Sequence, residues 1–207
     1  MKTVKKADRL AVGSTRERIL RSGVVLFQAH GYHGTGVAAI LDEARAPKGC
    51  FYHHFPGGKE QLAVEAVEWL AGEVDAFLDR LNGAQAGGAD MALGMTRYAA
   101  KGSARAGTMR GSLIAVLAAE AVPGSAAIGD ALKRAIASWT GKLSAGFKRS
   151  GVVESDMVAI RALALLEGAT VLARIAGRPE QIVEIVAAAL NDVVSGAAGH
   201  TPASFRL

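Results

Sequence analysis

The stretch from Thr35 to Leu62 reads TGVAAILDEARAPKGCFYHHFPGGKEQL, and its pattern predicts two short helices. Val37–Ala44 has the length and apolar spacing of a short helix. Pro47 suits the first turn of a second, very short helix that ends near Phe55. Two short helices joined by a tight turn predict a helix-turn-helix, a motif whose second helix enters the major groove of DNA by its N-terminal end.

The chain on both sides of this stretch also has helical patterns. Ser14 and Glu17 are spaced as a capping box, so a helix begins there and ends at Gly31. After Gly57-Gly58 we expect further helices, which gives an all-α chain of about nine helices. The predicted later helices are 59–81, 91–105, 112–121, 126–150, 155–176 and 179–195. The predicted organisation is a flexible basic arm (1–13), a three-helix DNA-binding domain (14–57), a helical ligand-binding and dimerisation domain (58–197) and a loose tail (198–207).

The positive charge of the chain is concentrated near its start. Residues 1–61 hold ten Lys and Arg against five Asp and Glu, a net charge of +5, whereas the remaining residues sum to zero. Such an asymmetry indicates either a polyanionic partner for the first segment or an ordinary solvated charged face. Charge alone does not separate the two.

The residues of the second short helix suit a DNA backbone. Lys48 lies at the helix start, where backbone N–H groups and the helix dipole also favour a phosphate. Gly49 lets the main chain approach closely, and Tyr52 and His53 supply hydrogen-bond donors. Lys59 lies in the first turn of the next helix, where the dipole disfavours a cation, and this predicts a phosphate opposite it.

The same stretch resembles the signature of the TetR (tetracycline repressor) family of regulators, and its wording YHHFPGGKEQL is closest to the LmrA/YxaF-like branch. The later segments GSLIAVLAAEA and ALALLEGATVLAR, with a Trp in a long helix, are also similar to that branch. The matching positions are Gly49, Phe51, Tyr52, His54, Phe55, Lys59, Glu60 and Leu62.

The resemblance implies a ligand-responsive, sequence-specific transcriptional regulator, a repressor that a small apolar or aromatic effector releases from its operator. The DNA-contacting positions that it implies are Thr35, Gly36, Arg45, Lys48, Gly49, Cys50, Tyr52, His53 and Lys59. Three of these depart from the family pattern. Arg45 stands where the turn usually has Gly and must take a left-handed backbone angle or shift the turn, while Gly36 and Cys50 replace the usual Ser or Thr.

In the family the helices after the DNA-binding domain surround an effector pocket. Large side chains are few in this alanine-rich part of the chain, and each is either core or pocket lining. The predicted pocket residues are Trp69, Phe77, Met95, Tyr98, Leu117, Glu120, Trp139 and Phe147. No cofactor is expected.

The last two predicted helices indicate a homodimer. The helix 155–176 has apolar residues nearly all round it, and one domain core accounts for only one face. A two-fold pair of such helices predicts a palindromic operator. The predicted interface residues are Leu165, Ala169, Leu172, Ile182, Ile185 and Val186.

Other functions find less support in the sequence. His53 and His54 point about 100° apart on a helix, so they do not chelate a metal together, and no metal site is predicted. We find no catalytic constellation, and no apolar stretch is long enough to span a membrane, so we expect a cytoplasmic protein that is not an enzyme. The alternative is a helical small-molecule-binding protein or enzyme whose first domain has lost DNA binding.

Overall fold

The computed structural model describes residues 13–104 and 110–196, and these form nine α-helices and no strand. The predicted all-α class is confirmed. The predicted arm, apart from Gly13, and the predicted tail lie outside the described residues. The helices are α1 (Thr15–His30), α2 (Val37–Ala44), α3 (a 3-10 turn at Lys48–Cys50 that continues as Phe51–His54), α4 (Gly58–Gly83), α5 (Gly88–Ala104), α6 (Leu113–Glu120), α7 (Ala126–Arg149), α8 (Ser155–Ala176) and α9 (Gln181–Gly196).

These helices form two compact units. The first unit comprises the described residues of 1–73 together with 110–135, and the second comprises those of 74–109 and 136–207. The division differs from the predicted domain boundary after residue 57. The first part of α4, all of α6 and the first part of α7 group with α1–α3. Helix α6 packs on α1, and α4 bonds α1 through the ion pair of Glu65 with Arg16.

The first unit is built around buried apolar side chains of α1–α4. Phe27, Phe51 and Phe55 are fully buried, and the rings of Phe51 and Phe55 lie 5.6 Å apart. The close approach of α1 and α4 depends on Gly23, since a Cβ atom there would lie 2.9 Å from a methyl group of Leu62. A larger residue at position 23 would therefore push the two helices apart.

Two predicted local features are confirmed. The Ser14 hydroxyl accepts a hydrogen bond from the Glu17 N–H (3.2 Å), and the Glu17 carboxylate accepts one from the Ser14 N–H (2.8 Å), which completes the capping box. Arg45 takes the left-handed conformation (φ 48°, ψ 48°) at the end of α2. This non-glycine residue carries a local backbone cost of about 1–2 kcal/mol, which its surroundings must offset.

In the second unit, α8 and α9 pack on each other and on α5. Lys142 lies between two carboxylates, 2.9 Å from Asp75 and 2.8 Å from Asp79. Burial alone would lower the pKa of the Lys142 ammonium, but its bonds to these two carboxylates outweigh burial and raise that pKa above its ordinary value. This cluster holds α7 against α4 within the second unit.

The structure corrects half of the predicted dimer face. Ala169, Ile182 and Val186 are buried inside the single chain, because α8 and α9 pack these faces on each other and on α5. Leu165 and Ile185 are half-buried. The exposed apolar face of α8 is formed instead by Val171, Leu172 and Ile175, of which only Leu172 was predicted.

Among the described residues, no helix has the length and apolar character needed to cross a membrane.

Candidate DNA-binding surface

Helix α3 is anchored on one side and open on the other. Phe51 and Phe55, one turn apart, are buried in the first unit. The intervening Tyr52 and His53 consequently point away from the core, and the Tyr52 side chain is 66% exposed. His54 is half-buried, as expected for a residue nearer the anchored side. The helix therefore presents hydrogen-bond donors to solvent from a fixed position.

Two cations flank these donors. Arg45, just before the turn, and Lys48, at the start of α3, are both exposed. Neither side chain takes part in an ion pair within the described part of the chain, whereas other cations of the first unit do, such as Arg16 with Glu65 and Arg134 with Glu68. Unpaired cations beside exposed donors form a surface that suits a phosphate backbone.

The predicted glycines of this surface lie in open space. A Cβ atom at Gly36 or at Gly49 would meet no other atom within 4 Å, so packing inside the chain does not require glycine at either position. Gly36 is the N-cap of α2, and it provides no side chain to bond the free N–H groups there. Cys50, the third departure from the family pattern, is half-buried and is a free thiol.

Two predicted contact residues are engaged inside the protein instead. Thr35 is 2% exposed, and its hydroxyl donates to the Gly31 carbonyl at 2.7 Å. The Lys59 ammonium donates to the carbonyls of Tyr32 (3.0 Å) and Thr35 (3.2 Å) and lies 4.4 Å from the centre of the Tyr32 ring. Both residues thus organise the turn between α1 and α2. Burial, with a smaller effect of the Glu60 carboxylate, raises the pKa of the Tyr32 phenol.

Arg18 supports this surface, although its position in the sequence does not predict that role. Its Nε atom donates to the carbonyl of Ala44, the last residue of α2, at 3.1 Å, and its Nη1 donates to the Gly13 carbonyl at 3.3 Å. A cation at a helix C-terminus satisfies an otherwise free carbonyl and opposes the negative end of the dipole. Nothing in the spacing of the sequence pairs α1 with the end of α2.

The predicted effector residues divide between the two units. In the second unit, Phe77 and Tyr98 are stacked with their ring centres 5.6 Å apart, while Met95, Trp139 and Phe147 are buried. The Trp139 Nε1–H group is buried and has no hydrogen-bond acceptor within the described residues. The remaining three predicted residues, Trp69, Leu117 and Glu120, belong to the first unit.

Glu120 differs from its prediction as an effector contact. Its carboxylate accepts a hydrogen bond from the backbone N–H of His33 at 2.9 Å, in the turn that connects α1 with α2. The His33 ring Nε2 lies 2.9 Å from the Glu120 carbonyl oxygen. The carboxylate thus bonds the turn between α1 and α2. It can do so because α6 packs on α1, which brings the last residue of α6 to this turn.

This geometry, an anchored short helix after a tight turn with unpaired cations beside it, defines the helix-turn-helix class of proteins. Comparison with known families agrees. Residues 19–66 match the model of bacterial regulatory proteins of the tetR family, and residues 90–188 match the LmrA/YxaF-like C-terminal domain of transcriptional regulators. The chain therefore belongs to the TetR family, with the C-terminal domain of the LmrA/YxaF-like regulators.

A relative of known sequence supports the assignment. The chain is 57% identical over 58 residues to the HTH-type transcriptional regulator LmrA of Bacillus subtilis, a match that covers 28% of this chain and 31% of that relative. The match thus spans about a third of the relative's length.

Two solved structures extend the comparison to most of the chain. The crystal structure of reduced NemR from E. coli is 27% identical, has a TM-score of 0.70 and covers 86% of this chain and 96% of NemR. CifR, solved with a 26 bp operator DNA, shares the fold with a TM-score of 0.68 at 21% identity, over 84% of this chain and 93% of CifR.

Proposed function

We propose that the protein is a sequence-specific DNA-binding transcriptional regulator that acts as a repressor in the cytoplasm, where its DNA partner lies. The observation that carries the proposal is the exposed surface of α3, with Lys48 and Tyr52 uncovered above a buried Phe51–Phe55 anchor. Lys48 would meet a phosphate, while Tyr52 and His53 would donate to phosphate or base edges in the major groove. Arg45 would contact the backbone from the turn.

The positive charge of the first 61 residues supports the same partner. Because the net charge of +5 is confined to this part of the sequence, a polyanion would be attracted to one end of the chain and not to the other. Such attraction is independent of base sequence and supplies affinity. Sequence preference would then come from the few side chains of α2 and α3 that approach the bases.

Selection of bound fragments from random double-stranded DNA tests this function. The selected duplex and a scrambled duplex of the same composition are titrated with protein over a series of salt concentrations. We expect the selected duplex to bind at least about a thousandfold more tightly at physiological salt. Failure to enrich any sequence, or equal affinity for both duplexes, would contradict the proposal.

The dimer that we propose uses the exposed apolar face of α8. Val171, Leu172 and Ile175 are exposed by 48%, 56% and 80%, and their spacing places them along one side of the helix. A monomer in water rarely leaves adjacent aliphatic side chains of one helix uncovered. Two copies related by a two-fold axis would cover them, with the half-buried Leu165 and Ile185 at the edge of the contact.

Dimerisation would present two copies of α3 to DNA. Two half-sites of a palindromic operator would then be bound together if the two α3 helices lie about 34–36 Å apart, one turn of DNA. An effector that alters this spacing would weaken both contacts at once. A coupling free energy of about 1–3 kcal/mol changes operator affinity by roughly 5–150-fold.

The effector that we propose is a small apolar or aromatic molecule with an oxygen acceptor. The stacked Phe77–Tyr98 pair supports an aromatic ligand in the second unit, and the unsatisfied Trp139 N–H supports an acceptor on it. A thermal-shift screen of planar aromatic ketones and phenols, followed by operator release, tests this. Trp139→Phe should weaken the response to any hit by about tenfold, whereas an unchanged response would remove Trp139 from the site.

A further inference from the structure

The turn segment Gly31–Thr35, which joins α1 to α2, is bonded by side chains from two other helices. Lys59, at the start of α4, donates to two of its carbonyls, those of Tyr32 and Thr35. Glu120, the last residue of α6, accepts from its His33 N–H at 2.9 Å. A cation thus holds the acceptors of the turn and an anion holds one of its donors. Both bonds are charge-assisted and stronger than neutral ones.

The contact with Glu120 is doubled and closely fitted. The His33 ring Nε2–H donates to the Glu120 carbonyl oxygen at 2.9 Å, so backbone and side chain of each residue bond the other. Gly31 lies against the same carboxylate, and a Cβ atom there would collide with it. Gly31 also has a φ of 83°, a conformation that favours glycine. The turn is therefore shaped to accept this carboxylate.

Helix α6 is tied to α1 at its other end as well. The Gly111 N–H, just before α6, donates to the Gln28 carbonyl in the last turn of α1 at 3.0 Å. The two ends of α6 thus bond the end of α1 and the turn that follows it. A displacement of α6 would be transmitted to the position of α2, and from there to α3.

The negative charge of Glu120 reduces the attraction of the first unit for phosphates. Its bond to the His33 N–H, in contrast, fixes the direction in which α2 leaves α1. The charge and the hydrogen bond consequently act in opposite senses on DNA affinity. This opposition makes the two effects separable by substitution.

We propose that Glu120 is a positioning residue for DNA recognition, which holds α2 and α3 in the arrangement that fits the operator. The proposal rests on the function proposed above. It assigns Glu120 to the DNA-binding end of the mechanism, and no contact between Glu120 and DNA or effector is required.

The test compares Glu120→Gln with Glu120→Ala on the selected operator and on a scrambled duplex. Glutamine removes the charge but keeps an oxygen that accepts from the His33 N–H, whereas alanine removes both. We expect Glu120→Ala to lose about tenfold in operator affinity, to keep its affinity for the scrambled duplex within twofold and to keep the salt slope. Glu120→Gln should retain most of the operator affinity.

One control and one further variant separate positioning from loss of folding. Glu68→Ala removes an exposed carboxylate of the same unit, which pairs with Arg134, and should leave both affinities unchanged. His33→Ala removes the ring bond, together with the edge contact of the ring with Tyr32, at an exposed position and should cost about threefold on the operator alone. If Glu120→Ala does not fold, His33→Ala tests the positioning role in its place.

Three results would overturn the proposal: a folded Glu120→Ala variant with wild-type operator affinity, equal losses on both duplexes, or a glutamine variant as weak as the alanine one. Hydrogen exchange at the His33 amide distinguishes failure of the positioning role of Glu120 from failure of the proposed function. If the wild type shows no sequence preference, the function fails and the positioning role falls with it. Unchanged exchange at His33 in Glu120→Ala would instead refute the role of the carboxylate alone.

Discussion

Helices α3 and α8 both leave side chains uncovered, but the chemistry of the two exposed faces is opposite. Helix α3 exposes Lys48, Tyr52 and His53, which are groups that donate hydrogen bonds or carry charge. Helix α8 exposes Leu172 and Ile175, which can do neither. In both cases the other face is buried in the core, so neither exposure results from a poorly packed helix.

The difference shows that the two faces suit different kinds of partner. A donor-rich face remains favourable in water and gains further from an anionic partner, whereas an aliphatic face remains unfavourable until another apolar surface covers it. The first is suited to a reversible, salt-dependent contact with DNA. The second is suited to a lasting contact with another apolar surface. Substitutions that exchange or remove these properties test the comparison.

The largest effect is expected from charge placed on the apolar face of α8. The double substitution Leu172→Glu, Ile175→Glu should yield a folded monomer, because both side chains are exposed in the single chain. Loss of the second half-site should weaken operator binding by roughly a hundredfold or more. Sedimentation at micromolar concentration and titration of the operator measure both. A dimeric variant with unchanged affinity would place the interface elsewhere.

Val153→Glu is the matched control for that variant. Val153 is 89% exposed but precedes α8, at the opposite end from Ile175, so it should leave the mass and the affinity unchanged. Ala169→Arg is unsuitable as a test of the interface, since Ala169 is 1% exposed and the substitution would disrupt the core of the single chain.

A smaller effect is expected from Lys48→Ala on α3. Loss of one phosphate contact should weaken binding to every duplex and reduce the slope of log affinity against log salt concentration by about one unit. Titrations of operator and scrambled DNA over a salt series measure the slope. Lys133→Ala, which removes an exposed cation of α7, is the control and should keep the slope of the wild type. Overlapping curves for Lys48→Ala and wild type would remove α3 from the DNA.

The smallest effect is expected from Tyr52→Phe, which removes one exposed hydroxyl. We expect an unchanged melting temperature and an operator affinity reduced by about 0.5–1.5 kcal/mol, the contribution of one hydrogen bond. Thr140→Val, which removes a hydroxyl of the second unit that bonds within its own helix, should leave the affinity unaltered. A fall in melting temperature with unchanged affinity would instead make Tyr52 a packing residue.

Local signals in the sequence were enough to predict the helices. The capping box at Ser14, the stop at Gly31 and the break at Gly57-Gly58 all mark helix ends in the structure, and α2 has the predicted bounds. Such signals depend only on residues that are neighbours in the sequence. The left-handed angle of Arg45, one of two predicted alternatives, is likewise a local requirement.

Contacts between distant segments were not predictable in the same way. The roles of Lys59 and Glu120 depend on which helix end packs beside the α1–α2 turn, and no spacing in the sequence specifies that. The apolar residues of α8 all matched one pattern, yet Ala169 is covered by neighbouring helices of the same chain and Ile175 is not. Periodicity shows that a helix is apolar all round but not which partner covers each side.

The mass of the complex on the selected operator is the most direct test of whether α3 binds DNA while the apolar face of α8 joins two chains. Native mass spectrometry or light scattering would count the chains bound to one duplex. We expect an inverted repeat occupied by an even number of chains, with the α8 double variant unable to fill it. A single, unrepeated site that one chain occupies with full affinity would show that the apolar face of α8 has no part in DNA binding.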